Sequence, residues 1–175
     1  NAAVNGTLET MNSNGTVAQS APVAIPAKGI FQLSFPANTL AGDGYFRLTM
    51  AGGAKVVGFE RFGNNQALAC LNAQDVSLAS NLRYAAHFAS GNWGIRYFTE
   101  LNVINPGTAS ATVTFRLIND EGVEVTAPVT QTIAAESQLR VLGHTLFSLA
   151  DPLTATTGVS GSVIIESDQG LVGSM

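Results

Sequence analysis

The side chains best equipped for chemistry in this 175-residue chain are His87, His144 and Cys70, which lie far from one another in sequence. A nucleophilic Ser or Cys needs a base within hydrogen-bond reach and usually a sharp turn that exposes it. No Gly-x-Ser-x-Gly elbow occurs, and Ser160-Gly161-Ser162, the nearest lookalike, lacks the spacing and reads as the entry to a strand. Cys70 has no second cysteine with which to form a disulfide or share a metal. Its setting, Ala67-Leu68-Ala69-Cys70-Leu71, predicts a buried small hydrophobe and not a reactive thiol. The 12 acids are scattered over turns and outward strand positions and read as solvated faces, not as a pair of glycosidase carboxylates. These residue types point away from an enzyme, and they define neither a metal site nor a cofactor site.

Aromatic residues form the more pointed cluster. Tyr84, His87, Phe88, Trp93, Tyr97 and Phe98 fall within 15 residues and include the single Trp. Trp93 stands between Gly91-Asn92 and Gly94, a loop composition that would present its ring outward. Trp93, Tyr97 and His87 are therefore the candidate ligand-binding residues, and flat aromatic rings on a surface suit the faces of sugar rings. Because each large aromatic buries about 150–250 Å², the expected role of the group as a whole is to seal a junction between two small domains, with Trp93 the residue left for ligand binding. Asn5-Gly6-Thr7 and Asn14-Gly15-Thr16 match the glycosylation sequon.

The composition sets the environment for these residues. Charged side chains make up 11% of the chain, against about 25% in an ordinary soluble domain. Ser, Thr and Asn supply 42 residues, so neutral hydroxyls and amides solubilise the surface. With 46% apolar residues the chain has enough to bury and is not a disordered tail. A net charge of −4 offers no basic face for a phosphate backbone, which excludes nucleic acid as an expected partner. No apolar run approaches the roughly 20 residues of a membrane-spanning helix. The sequence opens at Asn1 with neither Met nor an apolar leader, as a processed protein or an excerpt of a longer one would.

The elements that must hold the candidate residues follow a period of two. Residues 99–103, 113–117 and 163–166 largely alternate apolar with polar, as strands with one buried face do. Further strands are expected at 55–62, 66–71 and 97–104. Turn clusters separate them: Asn12-Ser13-Asn14-Gly15, Gly52-Gly53, Asn105-Pro106-Gly107, Asn119-Asp120-Glu121-Gly122 and Ser167-Asp168-Gln169-Gly170. Only residues 143–149 suit a helical turn, and they are too few to be more than a connector. Short strands with turns every ten or so residues predict an all-β antiparallel sandwich or barrel.

The chain also repeats itself. At an offset of 106, Val17, Ala21-Pro22-Val23, Gln32-Leu33 and Thr39-Leu40 match Val123, Ala127-Pro128-Val129, Gln138-Leu139 and Thr145-Leu146, which is 8 identities in 24 positions. With small shifts, Val4 and Leu8 answer Val113 and Leu117, and Val57-Gly58 answers Val172-Gly173. Two β units in tandem are expected, 1–78 and 79–175, joined near residues 74–82. The repeat also weighs against a calcium site at Asp120-Glu121 or Asp168, because the equivalent turns of the first copy carry no acid. The frame of the repeat is broken. The first copy begins level with the residues after Asn105-Pro106-Gly107 and so lacks an opening strand, and the second stops before its closing strand. Unpaired sheet edges invite pairing with another chain.

The segments His87-Phe88-Ala89-Ser90-Gly91-Asn92-Trp93, Phe98-Thr99-Glu100-Leu101-Asn102-Val103-Ile104-Asn105-Pro106, Asp120-Glu121-Gly122 and Glu166-Ser167-Asp168-Gln169-Gly170-Leu171-Val172-Gly173 together resemble the immunoglobulin-like repeat found in tandem in many secreted bacterial surface proteins. The likeness covers nearly the whole chain and is stronger in the second copy. It departs at Gly170, where such repeats often carry Pro. The resemblance implies two immunoglobulin-like β-sandwich units, export to the cell surface, a role in a stalk, adhesin or filament, and no catalytic residues. Partners would be neighbouring repeats or other copies of the chain meeting at sheet edges. The alternative is a carbohydrate-binding module with its platform around Trp93.

Overall fold

The structure is a computed structural model that describes residues 2–35, 43–63 and 68–174. Strand is the dominant element of these residues, helix is confined to three single turns, and every strand pairing is antiparallel, so the described chain is all-β. They divide into two compact units, 1–73 and 74–175. Gln74 belongs with the second unit, since its side-chain amide bonds the Gly173 carbonyl and its Oε1 accepts from Arg83 at 3.0 Å and from the Gly173 N–H at 3.1 Å.

The first unit holds strands β1 (Val4–Asn12), β2 (Val17–Ile25) and β3 (Gly44–Met50) in one sheet of order β2-β1-β3. The β1–β2 turn is built by its Asn and Gly residues. The Asn14 side chain accepts from the Thr16 N–H at 3.1 Å, and Gly15 takes φ 84°, a value that favours glycine. Strands β4 (Phe59–Gly63) and β5 (Leu68–Asn72) form a separate two-stranded ribbon. Cys70 lies on β5 and is exposed, which corrects the expectation of a buried thiol. A two-stranded ribbon has no interior of its own, so an apolar run on it need not be covered. β4 begins at Phe59, later than the strand expected at 55–62, and the expected start of the 66–71 strand lies outside the described residues.

The second unit comprises β6 (Ser80–Asn92), β7 (Arg96–Tyr97), β8 (Glu100–Ile104), β9 (Ala111–Ile118), β10 (Val129–Ile133), β11 (Gln138–Leu142), one helical turn α1 (Gly143–Leu146) and β12 (Gly158–Ser174). One ladder runs β10-β9-β12-β6-β7, and a second joins β11, β8 and the end of β12. Alternation explains the core between them. Ala111, Val113, Phe115 and Leu117 of β9 point inward, as do Leu101 and Val103 of β8 and Val163 and Ile165 of β12. They close around Phe88 of β6, whose ring meets Phe147 edge-on at 5.8 Å. Gly143 is required at its position because a Cβ there would lie 2.3 Å from the Phe88 ring.

Two expectations change in this unit. The 97–104 strand is interrupted, because Thr99 turns its hydroxyl onto β6, accepting from the Ala89 N–H and donating to the Ala89 carbonyl, both at 2.9 Å. Residues 167–170 do not reverse the chain. Glu166 faces Leu82 and Leu171 faces Ser80, so four residues of β12 bulge opposite Asn81 and carry the strand from one sheet into the other. Asp168 and Ser167 bond backbone N–H groups there, as turn residues do, at Thr112 (2.8 Å) and Gln169 (3.1 Å).

The two units share a pairing pattern. In the first sheet Gly6 faces Val23 and Met50, and Leu8 faces Leu48. In the second unit Phe115 faces Val129 and Ile165, and Leu117 faces Val163. The sequence offsets relating these pairs are those of the internal repeat. Order β2-β1-β3 therefore has the same neighbours, direction and register as β10-β9-β12. In the second unit β12 has β6 on its other side; among the described residues β3 has no such neighbour.

Candidate functional site

The hairpin between β6 and β7 presents the aromatic residues. Gly91, at φ 133°, lets the chain pass so close to β12 that a Cβ on it would stand 2.3 Å from the Gly158 Cα. The Asn92 N–H then donates to the Thr157 carbonyl at 3.1 Å, the Asn92 side chain accepts from the Gly94 N–H at 2.9 Å, and the Trp93 N–H donates to the Ile95 carbonyl at 3.1 Å. Gly94 supplies φ 85° at the tip. The turn is thus held from both sides by the backbone.

Within it, the Trp93 ring lies against Gly158, where a Cβ would come within 2.2 Å of the indole. Tyr97 meets the same ring edge-on, with centroids 5.7 Å apart. Trp93 nonetheless remains 50% exposed. A supported ring with open surface loses little freedom when something stacks on it. The structure therefore brings Trp93 and Tyr97 together. His87 is not part of this group. It is exposed on β6, about 17 Å of strand away from Asn92. It sits where Ala86 and His87 both oppose Ser162, a bulge that turns its side chain outward.

The remaining aromatics separate. Phe88 is at the centre of the core, whereas Tyr84 and Phe98 are exposed. Phe98 meets His144 edge-on at 6.2 Å, and His144 Nδ1 is buried without a hydrogen-bond partner. Among the described residues no three His, Cys, Asp or Glu gather as a metal site would need, and no helix is long and apolar enough to cross a membrane. Several acids are engaged in pairs or turns. Glu166 and Glu124 hold Arg116 at 2.9 and 2.5 Å and push its pKa further up, while Glu100 pairs with Arg140 at 2.8 Å.

Two features escaped sequence reasoning. Asn105 reads as a turn residue, yet it is fully buried and its Nδ2 reaches the carbonyls of Ala109, Ile133 and Ala134 at 2.7–3.1 Å. The Asn-Pro-Gly composition signalled a turn and not that load. The Trp93–Gly158 contact joins residues 65 apart, and only the strand register places them together.

No protein-family model matches the chain, and no curated protein matches it. Among solved structures, the Anabaena sensory rhodopsin transducer is similar at 17% sequence identity with a TM-score of 0.43, over 56% of this chain and 96% of that chain. At that distance the likeness carries no argument about the site.

Proposed function

We propose that the chain is a structural, non-enzymatic protein: two immunoglobulin-like β-sandwich repeats of a secreted or cell-surface bacterial stalk, adhesin or filament, associating through open sheet edges. The observation behind this reading is the shared register of β2-β1-β3 and β10-β9-β12, combined with the edge of β3 that no strand among the described residues pairs with. Val163 is fully buried, whereas its equivalent Leu48 is 42% exposed. An open edge beside an uncovered apolar position favours strand addition. The low charge content agrees with it, since charged side chains are a common device against such pairing. Light scattering and electron microscopy of the purified chain test the proposal. Association that grows with concentration is expected, and a monomer at every concentration would remove the assembly role.

The supported, half-exposed Trp93 favours one further reading, a carbohydrate platform at the β6–β7 hairpin. Glycan-array binding that disappears in Trp93→Ala while the melting temperature holds is the expected result for that site. A lowered melting temperature with no glycan bound would assign Trp93 a packing role only.

A further inference from the structure

We propose that the first unit contains a built acceptor for a β-strand, and that the strand it takes is an extended peptide segment patterned like β6. This rests on the repeat reading above and specifies its partner. The second unit supplies the template. There β12 is flanked by β6, with Val163 facing Ala85, Ile165 facing Arg83 and Gly161 facing Phe88. Carried through the shared register, the incoming strand sets an Ala85-like residue against Leu48, an Arg83-like residue against Met50 and a Phe88-like residue against Phe46.

The first unit has room for such side chains. At Gly6, which stands in the place of the fully buried Phe115, the Thr49 carbonyl and the Met50 sulfur already fill the space a Cβ would take, so the room lies at Leu8. Leu117, also fully buried, is replaced by Leu8, which lines an open groove of about 250 Å³ with Thr10, Ala21, Leu33 and Phe35. The Phe35 and Phe46 rings stack at 4.8 Å beside it. Backbone pairing would supply affinity here, and inward side chains entering an apolar groove would supply selectivity. The peptide places residues on the inward face at the positions of Arg83, Ala85 and Phe88, of which Ala85 and Phe88 are buried in the second unit's core, and its outward positions are free to vary.

The test is a fluorescence-anisotropy titration of a labelled peptide of sequence 80–92 with the intact 175-residue chain, and with Leu48→Asp and Thr130→Asp variants. Saturable binding is expected to the wild type and to Thr130→Asp, which alters the other unit's edge strand. Binding to Leu48→Asp should be weaker by roughly tenfold or more. Peptides carrying Ala85→Asp or Phe88→Asp should lose binding to a similar degree, while a Tyr84→Thr peptide should bind nearly unchanged. The peptide variants keep the test decisive should Leu48→Asp fail to fold. Binding that ignores Phe88 and Leu48, or no binding at all, overturns the inference. If the peptide does not bind but the chain still self-associates, the inference fails and the structural role stands; if neither occurs, both fail.

Discussion

Asn105 ties separate segments of the second unit together from a fully buried position. Its amide satisfies three carbonyls from two separate segments, and its Oδ1 accepts from the Gly107 N–H at 3.0 Å. Asn105→Ala would leave buried carbonyls without partners, at a cost of about 1–3 kcal/mol; a denaturant-unfolding midpoint lowered for the second unit checks this. Gly158 is the equivalent position for the aromatic hairpin. Gly158→Ala should displace the indole, seen as a change in Trp fluorescence maximum, with far-UV circular dichroism retained. A residue's type was readable from sequence and its load was not. Trp93 as an outward loop residue was legible from its flanking glycines, but the surface it rests on comes from β12. Cys70 shows the opposite failure, because local apolarity cannot report that a segment folds as an isolated ribbon.

Alternating β patterns were the most legible elements. Residues 113–117 and 163–166 predicted strands with the correct inward faces, because a period of two leaves one choice of face. The bulged corner at 167–170 was hidden, since the residues that build a turn by bonding backbone N–H groups also build a bulge. Asp168 bonds Thr112 at the start of β9 and pins the place where β12 changes sheets. Asp168→Ala should therefore speed amide exchange at Thr112 and along 167–171, leaving β10 unaffected; uniform protection throughout would show that the bulge needs no such tie. The exposed Arg116–Glu166 and Arg116–Glu124 pairs are screened by solvent and carry little weight, and Arg116→Gln is expected to leave the denaturant-unfolding midpoint nearly unchanged.

At the scale of the whole molecule, the sequence holds 8 identities over 24 positions at one offset, and residues of β1, β2 and β3 hold places in their sheet that match those of β9, β10 and β12. The sequence could not reveal how differently the two copies are covered. Leu48 and Val163 are similar residues at equivalent positions, and only the strands around them decide that one is exposed and the other fully buried. In the second unit β12 pairs with β9 and β6 in one sheet and with β8 in the other. The central claim is that β3 offers its edge to another strand. Hydrogen exchange of the Gly44–Met50 amides across a concentration series tests it most directly. The account predicts that these amides become protected as light scattering rises, while those of Val163–Ile165 do not change. Exchange of Gly44–Met50 at one rate across the whole series would contradict it.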